Sequence, residues 1–199
     1  MPTVHLVRHG EVRNPNHVVY ADLDGFNLSP RGVLQAHLAG RYLADRPIGV
    51  VLTSPLARAR QTATAIAGHH GLEPTIEPDL TETRQYPGWT GQRWEDLDRL
   101  FPGQVERYLA DASSLDDVAE SIAQVASRVV GVIERALATT QDPIVVVGHQ
   151  DPTQAGRLEL TGRDLSELLI DQPSHASVTT LSEEASGWVQ TASWEPPVG

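Results

Sequence analysis

The stretch Ile144-Val145-Val146-Val147-Gly148-His149 decides the fold class of this 199-residue chain. Its four leading residues are apolar and β-branched, which is typical of a central strand that a parallel sheet buries on both faces. Similar strand signals occur at residues 4–7 and 50–53, and helix-like segments lie between the strands. This alternation predicts an α/β fold with a mostly parallel sheet and helices on both faces.

Helix starts are marked by residues that cap helices well. The Ser-Pro pairs at 29–30 and 54–55 combine a good N-cap with a good first helical residue, and they predict helices to about residues 43 and 67. Ser114 with Asp117 predicts the start of a helix that runs to about residue 137, and Asp151-Pro152 predicts the start of another.

Two further regions complete the prediction for the chain. Residues 80–113 are broken by Pro and Gly, so we expect irregular structure with two short helices there. Residues 177–181 and 188–193 are strand-like and predict a closing hairpin. With no linker or repeat between these segments, residues 1–199 are interpreted as one domain.

Composition excludes several classes of protein and of partner. Fifteen Lys and Arg against 26 Asp and Glu give a net charge of −11, which disfavours nucleic acid and anionic membrane surfaces as partners. There is no cysteine, which excludes disulfides, thiolate nucleophiles and sulfur-ligated zinc. Residues 1–7 do not resemble a signal peptide, and no run reaches the roughly 18 apolar residues of a membrane span, so we expect a cytoplasmic protein.

Potential cations follow three of the predicted strands. Arg8 and His9 come after the first strand, Arg58 comes shortly after the second, and His149 ends the stretch quoted above. Ligands of open α/β sheets bind at the carboxyl ends of the strands, so these side chains are expected to converge on one rim. Because a guanidinium fork matches phosphate geometry, the sequence predicts an anion site there, most simply for a phosphate group.

The same residues lie within an ordered set of motifs that resembles the histidine phosphatase superfamily, also called the phosphoglycerate mutase-like family. The matching stretches are Leu6-Val7-Arg8-His9-Gly10-Glu11, Thr53-Ser54-Pro55-Leu56-Ala57-Arg58-Ala59-Arg60-Gln61-Thr62-Ala63, Leu80-Thr81-Glu82, Gly88-Trp89-Thr90-Gly91 and Val147-Gly148-His149. They cover nearly the whole chain in the family's order. The resemblance implies a three-layer sandwich and a metal-independent phosphatase without a cofactor, acting on a small phosphorylated metabolite.

The resemblance also implies a role for each candidate residue. His9 would attack phosphorus and form a transient phosphohistidine, which requires a neutral ring with its second nitrogen held by an acceptor such as a backbone carbonyl. Arg8, Arg58 and His149 would hold the phosphoryl oxygens. Glu82 would give a proton to the leaving oxygen, provided that its carboxyl group is protonated when needed.

Some positions depart from the family's pattern. The phosphate-binding Asn found in many members has its nearest counterpart here in Asn14, one position early, and Gln150 stands where Gly is common. Val12 replaces a frequent Ser or Thr. We expect these changes to alter the rim of the pocket and to leave the reaction unchanged.

The remaining histidines and tryptophans have more ordinary interpretations. His5, His69, His70 and His175 lack the spacing of metal ligands, so surface or packing roles are expected for them. Two tryptophans, Trp89 and Trp94, either line the substrate entrance or pack against the scaffold; the second role is the commoner one for tryptophans near a Gly-rich turn.

Two alternative functions stay open at this point. A phosphoglycerate mutase would use the same residues and return the phosphoryl group to another hydroxyl, although mutases of the family are usually longer. A non-catalytic member that only binds a phosphorylated ligand would be favoured by loss of His9, Arg58 or His149, and all three are present. A homodimer is a further prediction about partners, with no interface marked in the sequence.

Overall fold

The computed structural model describes residues 1–197 and contains a six-stranded sheet in the order β3-β2-β4-β1-β5-β6. Its elements are β1 (Thr3–Arg8), α1 (Pro30–Leu43), β2 (Val50–Thr53), α2 (Ala57–Ala67), β3 (Thr75–Ile76), α3 (Leu97–Leu100), α4 (Gln104–Asp111), α5 (Ile122–Leu137), β4 (Ile144–Gly148), α6 (Gln150–Leu160), β5 (Val178–Glu184) and β6 (Gly187–Trp194). Strands β1 to β4 pair in parallel, whereas β5 is antiparallel to both β1 and β6. The predicted mostly parallel sheet and the closing hairpin are confirmed.

Alternation along β4 explains why helices cover both faces of the sheet. Val145 and Val147 pack in a cluster with Leu43 of α1 and Ala63 of α2. The intervening residues Ile144 and Val146 pack in a second cluster, which α5 contributes to through apolar residues. Both faces of β4 are therefore buried, as its unbroken apolar sequence predicts. The result is a three-layer sandwich with the middle strands in its core.

Three predicted helix starts are wrong: the N-cap residues of α2 and α6 are off by two positions and that of α5 by seven. Helix α2 begins at Ala57 without a side-chain cap, and the Ser54 hydroxyl accepts from the N–H of Leu56 at 3.3 Å and lies 2.7 Å from Nε2 of His149. Helix α5 begins at Ile122, where Ser121 and Gln124 form a capping box. Helix α6 begins at Gln150, and the side chain of its N-cap residue, His149, forms no capping hydrogen bond. The side chains of Ser54 and His149 are therefore available to each other.

The loop after β1 lies directly on the start of α1. A Cβ atom on Gly32 would lie 2.0 Å from the backbone oxygen of Glu11, and one on Gly10 would lie 2.5 Å from the backbone oxygen of Gly32. The Gly10 amide also donates to the Thr62 hydroxyl of α2, at 3.1 Å. Two glycines thus allow the backbone beside His9 to be held between α1 and α2.

None of the helices within residues 1–197 combines the length and the apolar character needed to cross a membrane.

Candidate active site

A cavity of about 530 Å³ opens at the carboxyl ends of β1 and β4. Four of the predicted site residues line it, namely Arg8, His9, Asn14 and Glu82. The other two, Arg58 and His149, are fully buried behind this surface, both 0% exposed. The structure therefore brings the six residues to the same end of the sheet, but only four of them line the cavity.

His9 is held in a single tautomer by the loop that follows β1. Its Nδ1 lies 2.7 Å from the backbone oxygen of Gly10. A carbonyl can only accept, so Nδ1 carries the proton and Nε2 keeps the lone pair. Burial lowers the pKa of His9 well below its usual value, and the nearby positive charges of Arg58 and Arg8 add to the effect. The ring is therefore neutral near pH 7, the form that a nitrogen nucleophile requires.

His149 is engaged by protein groups at both ring nitrogens. Arg58 Nε donates to its Nδ1 at 3.3 Å, and its Nε2 lies 2.7 Å from the hydroxyl of Ser54. Because Nδ1 accepts, the proton is on Nε2, and burial followed by the charge of Arg58 lowers the pKa of His149 well below its usual value. The ring centres of His9 and His149 are 5.2 Å apart and meet edge to face, so a phosphoryl group would have to lie beside the pair rather than between the rings.

Arg58, a predicted anion ligand, anchors a neighbouring loop in the structure. Its guanidinium donates to the backbone oxygens of Leu23 and Ala21, at 3.1 and 2.5 Å, and lies 4.6 Å from the ring centre of Tyr20. A guanidinium has five N–H groups, so two remain after these bonds and the one to His149. Arg58 thus ties the loop at residues 20–23 to the second imidazole, with two of its N–H groups outside these bonds.

Arg8 is oriented by a residue for which we predicted a surface or packing role. Its two terminal nitrogens contact the backbone oxygen of Pro173 at 2.9 Å and Nε2 of His175 at 3.1 Å, and its Nε is buried without a hydrogen-bond partner. The His175 ring centre is 5.8 Å from that of His9. Burial and the charge of Arg8 lower the pKa of His175 to about 4, so this ring is a neutral acceptor near pH 7. The turn before β5 carries His175 to the end of β1, which lies next to β5 in the sheet, so the predicted packing role includes a contact with Arg8.

Glu82 lies at the cavity surface beside a second carboxyl group. Loss of solvation raises the pKa of Glu82 to about 8, with the negative charge of Asp151 as the next cause. One Glu82 oxygen accepts from the backbone N–H of Thr83 at 2.9 Å. Asp151 is buried, accepts from the Tyr108 hydroxyl at 3.2 Å, and has its Oδ1 without a partner. This surrounding supplies the protonated carboxyl group that an acid at this position needs.

The two rim residues differ in what they do. Asn14 holds a loop, since its Nδ2 donates to the backbone oxygen of Val18 at 2.9 Å and its Oδ1 accepts from the N–H of Val18 at 3.1 Å, which leaves one Nδ2–H outside these bonds. Gln150 lines the cavity at the N-terminus of α6, where the helix dipole favours a negative charge.

Sequence reasoning missed several residues that complete the site. Ser54, Tyr20, Asp151, Tyr108 and His175 all contact a candidate residue or line the cavity. A sequence signal existed for Ser54, which directly follows the second predicted strand, and for Asp151, which lies four positions after the strand predicted at residues 144–147, but we interpreted both as helix caps. No local pattern marks Tyr20, Tyr108 or His175, which reach the site from loops and a short helix.

Trp89 and Trp94 combine the two roles that the sequence allowed. Both line the cavity, while Trp89 is also packed against Tyr86 and Tyr108. Within residues 1–197, no group of three or more His, Cys, Asp or Glu side chains is placed to hold a metal ion.

Comparison with known proteins places this arrangement in a family. The family model described as "Histidine phosphatase superfamily (branch 1)" matches residues 4–194. An uncharacterised protein of Mycobacterium tuberculosis is 35% identical over 175 residues, covering 81% of this chain and 80% of the relative. Phosphoserine phosphatase 1 of Hydrogenobacter thermophilus is 31% identical over 182 residues, covering 90% of this chain and 85% of the relative.

Solved structures agree with the sheet and its helices. A mycobacterial glucosyl-3-phosphoglycerate phosphatase, solved in complex with VO3, superposes with a TM-score of 0.84 at 26% identity, over 94% of this chain and 96% of that one. The YhfR protein of Bacillus stearothermophilus shares the fold with a TM-score of 0.85 at 19% identity, over 96% of each chain.

Proposed function

Because the chain belongs to the histidine phosphatase superfamily (branch 1), we propose that it hydrolyses the phosphate ester of a small metabolite through a phosphohistidine on His9. The family predicted from the motifs is confirmed, and the chain is a phosphoric monoester hydrolase. One observation carries the proposed role of His9. Its Nδ1 proton is fixed on the Gly10 carbonyl, so the lone pair of Nε2 is free in a site shared with Arg8 and Glu82.

The first step of the proposed reaction transfers the phosphoryl group to the protein. Nε2 of His9 attacks phosphorus while the bond from phosphorus to the ester oxygen breaks, and the departing oxygen takes the proton of Glu82. Arg8 and the remaining donors of Arg58 stabilise the charge that spreads over the phosphoryl oxygens. His149 takes part through its Nε2–H group, which in the structure donates to the Ser54 hydroxyl at 2.7 Å.

The second step returns the protein to its starting state. Ionised Glu82 accepts a proton from a water molecule, whose oxygen attacks phosphorus and breaks the bond to His9. The products are inorganic phosphate, a neutral His9 and a protonated Glu82. The high pKa of Glu82 suits both directions, because the group both gives and regains its proton near neutral pH.

The test is to trap the intermediate with a generic ester such as phenyl phosphate. We expect a label on His9 that is acid-labile and base-stable, and turnover that a metal chelator leaves unchanged. Label on a serine or aspartate, or turnover that stops with chelator, would contradict the mechanism. Stoichiometric release of inorganic phosphate, without transfer to an added alcohol, separates a phosphatase from the mutase alternative, which the phosphatase-named relatives do not favour.

Three broader predictions belong to the same proposal. One is that residues 1–199 form a single domain, which the continuous six-stranded sheet supports and which a single unfolding transition would test. The second is a cytoplasmic location, to be checked by cell fractionation. The third is a homodimer, to be checked by light scattering.

A further inference from the structure

The outer part of the cavity is built around a cluster of aromatic rings. We define this outer cavity as the part lined by Tyr86, Trp89, Trp94, Glu95 and Tyr108. Trp89 stacks on Tyr86 with ring centres 4.7 Å apart, and it meets Trp94 and Tyr108 edge to face at 6.0 and 5.7 Å. Such a cluster offers large apolar surface with little conformational freedom to lose, which suits a ring-shaped or planar group.

The polar end of the central ring is already satisfied away from the cavity. Trp89 Nε1 donates to Gln104 Oε1 at 2.9 Å. The contribution of Trp89 to the wall is therefore apolar surface and ring face. Trp94, in contrast, is 46% exposed, so its ring is accessible to a bound molecule.

Cationic side chains of the outer cavity are engaged by carboxylates. In the part of the chain that the structure describes, the arginines that line the cavity are Arg8, at the reacting end, and Arg84; the histidine His17 lines it as well. Arg84 forms an ion pair with Asp22, and His17 Nδ1 lies 3.0 Å from Glu95. A carboxylate on the substrate would have to displace one of these partners.

Negative charge on the cavity wall adds to this cost. Glu95 is exposed at the rim, and Asp151 is buried with one oxygen lacking a partner. Like charges at a partly desolvated site repel more strongly than they do in water. A second anionic group on the substrate would therefore meet repulsion near the two carboxyl groups. Among residues 1–197, the cavity-lining arginine without a carboxylate partner is Arg8, and the proposed reaction uses it to hold the phosphoryl group.

We propose that the alcohol part of the substrate carries no carboxylate or other anionic group and that it packs a ring or planar surface against Trp89 and Trp94. The inference rests on the proposed function and specifies its substrate class. It separates this chain from two relatives, named for phosphoserine and for glucosyl-3-phosphoglycerate, since both of those compounds contain a carboxylate.

Matched pairs of esters test the charge requirement directly. Phenyl phosphate is compared with 4-carboxyphenyl phosphate, and glycerol 3-phosphate with 3-phosphoglycerate, so that each pair differs by the anionic group. We expect kcat/KM to be about tenfold lower, or more, for the carboxylate member of each pair. Equal values, or a preference for the carboxylate member, would overturn the proposal.

A variant without the charge of Glu95 tests whether this residue repels a carboxylate on the substrate. Glu95→Gln is expected to raise kcat/KM for 4-carboxyphenyl phosphate severalfold relative to its effect on phenyl phosphate, because one of the two carboxyl groups that repel the added carboxylate is removed. The matched control is Glu106→Gln, which changes an exposed carboxylate of α4 outside the lining of the cavity. An equal response of the two variants would contradict the assigned role of Glu95.

A variant of Trp94 tests whether the alcohol part of the substrate packs a ring against the outer cavity. Trp94→Leu is expected to raise KM for phenyl phosphate by about fivefold relative to its effect on methyl phosphate, which has no ring to pack. The same change in KM for both esters would contradict the ring contact. Loss of all turnover and of the His9 label in the wild type would instead overturn the proposed function and this inference with it, whereas intact label with a carboxylate preference overturns the inference alone.

Discussion

The reacting end and the outer cavity are stabilised in opposite ways. At the reacting end, His9, Arg58 and His149 are at most 1% exposed, and backbone oxygens at the ends of strands and in tight loops hold two of them. In the outer cavity, Trp94 is 46% exposed and Glu95 is held by ion pairs with other side chains. Groups that must keep a tautomer and a pKa are fixed by buried backbone, whereas groups that meet the alcohol come from irregular segments that can change without disturbing the sheet.

The largest expected effect is at the centre of the reacting end. His9→Ala removes the nucleophile, so kcat for phenyl phosphate is expected to fall by about 10⁴-fold or more, with no phosphohistidine formed. His37→Ala, an exposed histidine on α1, is the control and is expected to keep full activity. If kcat of the His9→Ala variant is close to that of the wild type, His9 is not the nucleophile, and the proposed difference between the reacting end and the outer cavity is wrong.

The next largest effect on kcat is expected at Glu82, which lines the cavity. Glu82→Gln cannot supply a proton, so kcat is expected to fall by about 10²-fold or more for alkyl esters and by less for 4-nitrophenyl phosphate, whose leaving group needs little protonation. In the wild type, activity is expected to fall as the pH rises through about 8, because Glu82 then loses its proton.

A variant of Asp151 gives a second test that Glu82 causes the fall in activity at alkaline pH. Asp151→Asn removes the neighbouring negative charge, which lowers the pKa of Glu82 and moves the alkaline fall to lower pH. Rates measured from pH 6 to 10 check both changes. An alkaline fall that persists unchanged in Glu82→Gln would assign it to another group.

The rigidity of the reacting end can be tested through stability. Gly32→Ala places a Cβ 2.0 Å from the Glu11 oxygen, and neither backbone segment can give way easily, so we expect a loss of about 3 kcal/mol in the free energy of unfolding. In α5, Gly131→Ala meets only the flexible end of Arg135 at 3.4 Å and is expected to be neutral or to stabilise by up to about 1 kcal/mol. Denaturant unfolding measures both, and equal effects would contradict the close approach of the β1 loop to α1.

The smallest effect on activity is expected at His175, whose side chain contacts Arg8 at the reacting end. His175→Ala leaves one Arg8 nitrogen without its acceptor, so kcat/KM for phenyl phosphate is expected to fall by about tenfold. His175→Gln keeps an acceptor oxygen and is expected to recover most of the loss. If the Gln and Ala variants are equally impaired, His175 has a packing role and does not orient Arg8.

Much of the fold was predictable because its signals are local. The apolar run of β4 and the strand signals of β1 and β2 identify the middle of the sheet, and all three are observed. Helix starts were less predictable, since Ser54 and Asp151 have the chemistry of caps yet are used by His149 and Tyr108. A side chain can serve one partner, and local sequence does not reveal a competitor that is distant in the chain.

The sequence by itself determined the order of strands and helices along the chain, the residues at the strand ends and the family to which they belong. Tertiary structure alone decided which nitrogen of each imidazole carries its proton, why the Glu82 carboxyl keeps its proton near neutral pH, and that His175 meets Arg8 across 167 positions of sequence. The physical reason is range. Strand and helix signals act between near neighbours in the chain, whereas tautomers, pKa values and buried contacts depend on atoms that only folding brings within a few ångströms.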